Sequence, residues 1–182
     1  MRQLTFRGFL TQYVRQLSTH KTNSLYQLAE EANQNNHRLR EPLFLYAMYS
    51  HKLDVLLQAV KNSSLHTEYY KLASQYSTDE MTELLEHSSP ALPMEYHKVW
   101  QSYQSIVSKR LADKHTKELM REKIKQIQEQ SGVTNYRIYT DLGLNPGNLN
   151  AWLKHGNDSK VSLDTARRTL RYVESTFTKQ SS

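Results

Sequence analysis

Residues 142–156, which read LGLNPGNLNAWLKHG, concentrate side chains with hydrogen-bonding chemistry. The segment holds three asparagines and, at its far end, Lys154. An asparagine amide both donates and accepts, so it can pair bidentately with the edge of an adenine, and a small side chain can meet a thymine methyl group. Leu149, Trp152 and Leu153 recur at spacings of three and four among these polar residues. A helix here would present amide and small side chains on one side and an apolar face on the other.

The flanking residues contain start and stop signals for two short helices. Thr134 is a suitable N-cap for a helix over NYRIYTDL, and Gly143 can end that helix in a left-handed conformation. Asn145 is a second N-cap residue, and Pro146 follows at the first helical position, where its missing N–H has no cost. The pattern therefore predicts a helix, a short turn containing glycine, and a second helix from about 146 to 155.

This arrangement resembles the helix-turn-helix of the lambda-repressor-like family, the phage repressor and Cro class. The resemblance covers about 120–173, roughly the last third of the chain, and includes the upstream LMREKIKQIQEQSG and the downstream VSLDTARRTLRYV. In that family a turn glycine, the next aliphatic residue, an aliphatic residue in the middle of the second helix and often a tryptophan three residues later hold the motif. These positions correspond here to Gly143, Leu144, Leu149 and Trp152.

The resemblance also implies which residues would contact DNA. The phosphate contact at the start of the first motif helix falls on Asn135, and the base-reading positions fall on Pro146, Gly147, Asn150 and Ala151, with Lys154 at the far end. Because Pro146 and Gly147 replace longer polar residues, we expect either that DNA shape is read or that more of the contact is made by Asn145, Asn148 and Lys154. The predicted DNA-binding residues are Asn135, Asn145, Gly147, Asn148, Asn150, Ala151, Lys154, Lys160, Arg167 and Arg168.

One position departs from the family pattern. The family usually has alanine on the inner face of the first motif helix, where the two helices cross, and this chain has Tyr139. We expect either that the helix crossing is opened or that the ring turns outward.

The distribution of charge agrees with a polyanionic partner for the second half of the chain. Residues 1–92 contain 9 Lys and Arg and 9 Asp and Glu, whereas 93–182 contain 15 basic and 9 acidic residues, so the whole excess of +6 lies in 93–182. Basic residues flank the motif on both sides, and some of them could approach phosphates. A solvated basic surface is the alternative interpretation of the charge alone. The flanking residues are Arg121, Lys123, Lys125, Lys160, Arg167, Arg168 and Arg171.

Hydrophobic spacing predicts an all-α fold in which an N-terminal helical domain is joined by a long helix to the C-terminal helix-turn-helix domain. The proline-containing SSPALP at 88–93 breaks the helical pattern. The segment after it is either one long helix or two helices with a kink near 113–117. The predicted divisions are an N-terminal domain at 1–92, a connector at 93–118, the DNA-binding domain at 119–175 and a frayed tail at 176–182.

Motifs for catalysis, metal binding or membrane insertion are missing from the sequence. There are no cysteines, phosphate-binding loop, nucleophile elbow or HExxH motif, and His51 with Asp54 lacks further ligands at a metal spacing. We therefore expect no enzyme, cofactor or metal. Residues 1–10 show neither the apolar stretch nor the small-residue cleavage site of a signal peptide, so we expect none. No apolar run approaches the roughly 20 residues that span a bilayer, and we expect a cytoplasmic protein.

Together these features predict a sequence-specific transcriptional regulator, a repressor from a prokaryote, phage or mobile element. It would bind double-stranded DNA as a homodimer, as the resemblance implies, with the N-terminal domain supplying dimerisation or signal input. The alternative is an antitoxin-like or other protein-binding module at the N-terminus, with the helix-turn-helix serving autoregulation.

Overall fold

The computed structural model describes residues 3–19 and 24–178, and the chain is all-α as predicted. No β-strand occurs in this part of the chain. Nor does any helix within these ranges combine the length and apolarity that crossing a membrane requires. The α-helices in the described residues are α1 (Phe6–Leu17), α2 (Leu25–Gln34), α3 (Arg40–Tyr49), α4 (Leu53–Ala59), α5 (Ser64–Gln75), α6 (Thr78–Glu86), α7 (Met94–Ser131), α8 (Asn135–Leu142), α9 (Pro146–His155) and α10 (Leu163–Phe177).

The chain forms two compact units. The N-terminal unit is Leu4–Ile106, and the described part of the C-terminal unit includes residues 107–178. The division falls inside the predicted connector 93–118. Each unit has a hydrophobic cluster of its own.

The N-terminal unit is built around α3, which is apolar on nearly every side. Three consecutive residues, Leu43, Phe44 and Leu45, are fully buried, as expected for a helix surrounded by other helices. The amphipathic α1 covers it with Phe9, Leu10 and other apolar residues of one face. The unit therefore has a buried apolar cluster of its own, with α3 within it.

A buried carboxylate fixes the end of α1 against α2. Glu31 accepts hydrogen bonds from Ser18 Oγ at 2.6 Å, from the Thr19 backbone N–H at 2.7 Å and from Asn36 Nδ2 at 2.8 Å. Burial raises the pKa of Glu31, but these donors outweigh it and hold the pKa at about 2. The group is therefore ionised throughout the neutral range.

A capping box starts α6. Ser77 Oγ accepts from the Glu80 backbone N–H at 3.2 Å, and the Glu80 carboxylate accepts from the Ser77 N–H at 2.7 Å. The predicted break is confirmed, because α6 ends at Glu86 and α7 begins at Met94, with SSPALP between them.

One continuous helix follows the break. The sequence left open a kink near 113–117, and the structure shows α7 unbroken from Met94 to Ser131. Tyr96 and Val99 belong to the core of the N-terminal unit, whereas Ile124 and Ile127 belong to that of the C-terminal unit.

The C-terminal unit packs four helical segments around one aromatic residue. Trp152 of α9 is fully buried, and Ile124, Ile138 and Val173 bring apolar side chains from α7, α8 and α10 into the same cluster. Phe177 ends α10 and packs at this cluster's margin, so the helix includes the first two residues of the segment predicted to be frayed, 176–182. Residues 179–182 of that segment lie outside the described residues.

Candidate nucleic-acid interface

The turn between α8 and α9 has the helix ends that the sequence predicted. Thr134 Oγ1 accepts from the Arg137 backbone N–H at 3.3 Å and starts α8. Gly143 ends it with φ of 64°, a left-handed conformation that glycine adopts without a side-chain penalty. Asn145 then caps α9, since its Oδ1 accepts from the Asn148 backbone N–H at 3.0 Å, and Pro146 occupies the first helical position.

The inner face of α9 is apolar and fully enclosed. Leu149, Trp152 and Leu153 are each at most 1% exposed. The indole N–H of Trp152 is also satisfied, because Nε1 donates to Oδ1 of Asp158 at 3.2 Å. Trp152 is therefore a structural anchor that orients the helix, and its ring cannot contact a partner.

A buried acid pins the end of α9 to α7. Asp158 is 7% exposed, and its Oδ1 also accepts from Arg121 Nη1 at 3.1 Å. Lys117 Nζ donates to the Asp158 carbonyl oxygen at 2.6 Å and to that of Val161 at 3.3 Å. Sequence reasoning missed both Asp158 and Lys117. The Lys117 contacts join residues 41 and 44 positions apart, and the Asp158 carboxylate meets Arg121, which is 37 positions away.

The outer face of α9 carries the predicted contact residues. Gly147, Asn148 and Lys154 are exposed, while Asn150 and Ala151 are half-buried. Helix α9 itself contains no acidic residue. Asn145 is also exposed, but its side-chain oxygen is engaged by its own helix cap.

An open cleft of about 580 Å³ lies beside this face. Asn135, Asn150 and Lys154 line it together with Gln128 of α7 and Glu129. Asn135 Nδ2 donates to Asn150 Oδ1 at 2.9 Å, and Asn135 Oδ1 accepts from Gln128 Nε2 at 2.8 Å. The two predicted residues Asn135 and Asn150 are thus brought together, and Gln128 is an unpredicted third member.

Tyr139 takes an intermediate position between the two alternatives that the sequence allowed. Its ring is half-buried at the margin of the C-terminal cluster and also lines the cleft. It makes an edge contact with Tyr136, whose ring centroid is 5.4 Å away and whose side chain is 67% exposed. The pair adds a partly exposed aromatic surface beside Asn135.

Three of the basic residues proposed to approach phosphate have protein partners. Arg168 Nη2 donates to the Leu142 carbonyl oxygen at 2.6 Å, so this predicted DNA-binding residue caps the C-terminal end of α8. Lys123 pairs with Glu174 of α10, and Arg121 pairs with Asp158. The basic residues that stay exposed without such a partner within residues 107–178 include Lys125, Lys154, Lys160, Arg167 and Arg171.

A second polar contact joins α8 to α10. Arg137 Nε donates to Asp141 Oδ2 at 2.6 Å, and the Tyr172 hydroxyl donates to the same oxygen. Hydrogen bonds from Tyr172 and Arg137 lower the pKa of the Asp141 carboxyl, and the bond to Asp141 raises the pKa of Arg137. Together with the Arg168 contact, the Tyr172 hydrogen bond holds α8 against α10.

Among the described residues, no group of three or more His, Asp or Glu side chains is placed to hold a metal ion.

Comparisons with protein-family models, with curated proteins and with solved structures gave no significant match.

Proposed function

We propose that the chain is a sequence-specific DNA-binding transcriptional regulator of prokaryotic, phage or mobile-element origin that inserts α9 into the major groove. One observation carries the proposal: α9 is capped at both ends, buried on its apolar face, and exposes amide, small and basic side chains on the other. A helix is about 10–12 Å across with its side chains, and the major groove is about 12 Å wide.

The charge of the surrounding surface supports the same partner. Lys154 at the end of α9, Lys160 after it and Arg167 on α10 are exposed, and a phosphate backbone would find them without first breaking a protein ion pair. Backbone contacts of this kind supply affinity and position the reading helix, whereas Asn148 and Asn150 would supply preference among bases. Arg168 would act by holding α8 rather than by touching phosphate.

For the N-terminal unit we propose a second role, which is to bring two copies of the chain together or to bind a protein partner. The unit has an independent core and is formally neutral over 1–92, so it would not compete for DNA. Tyr26 and Tyr70 are 56% and 59% exposed, an arrangement common at protein interfaces. A homodimer would present two copies of α9 to a two-fold site.

The test is a selection of bound duplexes from a random-sequence pool with the full chain, followed by titrations of a selected and a random duplex. The proposal predicts an enriched site bound roughly 10³-fold or more tightly than random DNA. Asn148→Ala should narrow that gap, because its loss removes about 1–3 kcal/mol of discrimination at one base pair. Lys154→Ala should weaken both duplexes alike. A chain that enriches no sequence would contradict the proposal.

The same preparation distinguishes the two roles of the N-terminal unit. Light scattering of the purified full chain should give twice the monomer mass if the unit dimerises. A monomer that binds DNA only together with a co-purifying protein would favour the antitoxin-like alternative.

A further inference from the structure

Three side-chain amides in the C-terminal unit form one hydrogen-bonded chain. Gln128 Nε2 lies 3.2 Å from the Val133 carbonyl oxygen and 2.8 Å from Asn135 Oδ1. Asn135 Nδ2 lies 2.9 Å from Asn150 Oδ1. The series begins at a backbone group near the end of α7 and ends on the outer side of α9.

A backbone carbonyl determines the direction of this chain. The Val133 oxygen can only accept, so the Gln128 atom beside it must be the NH₂ group. That nitrogen in turn requires the oxygen of Asn135, which leaves the Asn135 NH₂ group facing Asn150. Asn150 therefore turns its oxygen toward Asn135.

This orientation determines which atoms of the Asn150 amide are available to a base. Asn150 is half-exposed at the cleft, its oxygen is directed at Asn135, and its NH₂ group has no hydrogen-bond partner among the described residues. Bidentate pairing with adenine needs the oxygen and the nitrogen to face the base together. Two free N–H groups instead match an edge with two acceptors, which guanine supplies through N7 and O6.

We propose that Gln128 is a positioning residue that holds Asn150 as a hydrogen-bond donor, so that Asn150 selects guanine. This inference rests on the proposed function, since it names what one residue of α9 reads. Asn148 is exposed and makes no side-chain hydrogen bond among the described residues. The oxygen and the NH₂ group of its amide are therefore both available for bidentate pairing with adenine.

A substitution of Gln128, which lies on α7 and not on the proposed reading helix, tests the proposal. Gln128→Glu replaces a donor by a carboxylate, which can accept from the Asn135 NH₂ group but cannot donate to Val133. Asn135 would then turn its oxygen to Asn150, and Asn150 would present its own oxygen outward. The guanine preference at one position should fall at least about fivefold and be replaced by a base with an amino group, cytosine or adenine.

The matched control is Gln130→Glu, the same charge change two residues further along α7 at an exposed position. Each full-length variant is used to select duplexes from the random pool, and the enriched sites are compared position by position. Gln130→Glu should keep the wild-type site. Asn150→Asp serves as a second variant, because it keeps the acceptor toward Asn135 and also presents an oxygen outward, so it too should exchange guanine for a base with an amino group.

A measurement without DNA examines the amide chain itself. In ¹⁵N,¹³C-labelled wild-type protein, a scalar coupling across the hydrogen bond should connect Asn135 Nδ2 to Asn150 Cγ and should disappear in Gln128→Glu. Its absence from the wild type overturns the inference, as does a Gln128→Glu variant that folds and keeps the wild-type site. A wild-type chain that selects no site while showing the coupling overturns the proposed function, and the inference about guanine with it.

Discussion

Replacing Trp152 with alanine should destabilise the C-terminal unit by about 3–5 kcal/mol. The ring is 0% exposed and lies at the centre of the cluster formed by α7, α8, α9 and α10, so its removal leaves a cavity that these helices cannot easily close. Asp158 would also lose one of the two side-chain donors that its carboxylate has among the described residues. Both effects act on the same unit and in the same direction.

Trp152→Phe separates the cavity from the hydrogen bond. Phenylalanine retains much of the buried ring but has no N–H group for Asp158. A hydrogen bond to a charged group contributes about 1.5–3 kcal/mol. Since Arg121 still donates to the same carboxylate oxygen, we expect a loss at the lower end of that range.

The assay is urea unfolding of the full chain followed by two signals. The chain has two tryptophans, so in both Trp152 variants the fluorescence of Trp100 follows the N-terminal unit alone, while circular dichroism at 222 nm follows both units. Only the dichroism transition of the C-terminal unit should move. The control Tyr136→Ala removes a ring that is 67% exposed and should change the free energy of unfolding by no more than about 0.5 kcal/mol.

The result that would refute this reasoning is a loss of only a few tenths of a kcal/mol for Trp152→Ala. The ring would then not be buried in solution, and the face of α9 assigned to the interior would be available to a partner. In that case the face of α9 that carries Trp152 would be the one that contacts DNA.

Three further predictions follow from individual contacts. Arg168→Ala should lower the stability of the C-terminal unit by about 0.5–1.5 kcal/mol, because it removes the hydrogen bond to the Leu142 carbonyl. Arg167→Ala should leave stability unchanged and weaken the binding of random DNA. Thermal unfolding measures the stability of both variants, and DNA titration measures their binding. Gly143→Ala should cost about 1 kcal/mol or more in urea unfolding, because φ is 64° there although no atom blocks a methyl group, and Gly143→Asn should cost less. The pKa of Glu31 is lowered from 4.5 to about 2, so its contribution to stability is complete above pH 4.5 and is lost as the pH falls toward 2. Glu31→Gln should therefore flatten the acid limb of a curve of stability against pH. An unchanged curve would contradict the assigned hydrogen bonds.

The helix ends near the proposed interface could be predicted from the sequence because their signals are local. Thr134, Gly143, Asn145 and Pro146 act on backbone groups within four residues of themselves, and each occupies the predicted place. The burial of Leu149, Trp152 and Leu153 also followed from spacing alone.

The partners of the charged and amide side chains could not be predicted in this way. Arg168 bonds to a carbonyl 26 residues earlier, and Lys123 pairs with Glu174 on another helix, so both depend on how the helices pack. A basic residue beside a motif looks the same in sequence whether it faces phosphate or a neighbouring helix. The role of Gln128 likewise has no sequence signal, because its significance comes from the amide chain through Asn135.

The most direct test of the central claim is the salt dependence of DNA binding by the full chain. Fluorescence anisotropy with a labelled random duplex at several salt concentrations should show affinity falling steeply with salt. Lys154→Ala should lower the slope of that dependence by about one unit, because one phosphate contact is lost, while Lys61→Ala, an exposed lysine of the N-terminal unit, should leave it unchanged. Equal slopes for wild type and Lys154→Ala, or an equal reduction by Lys61→Ala, would contradict the placement of DNA on α9.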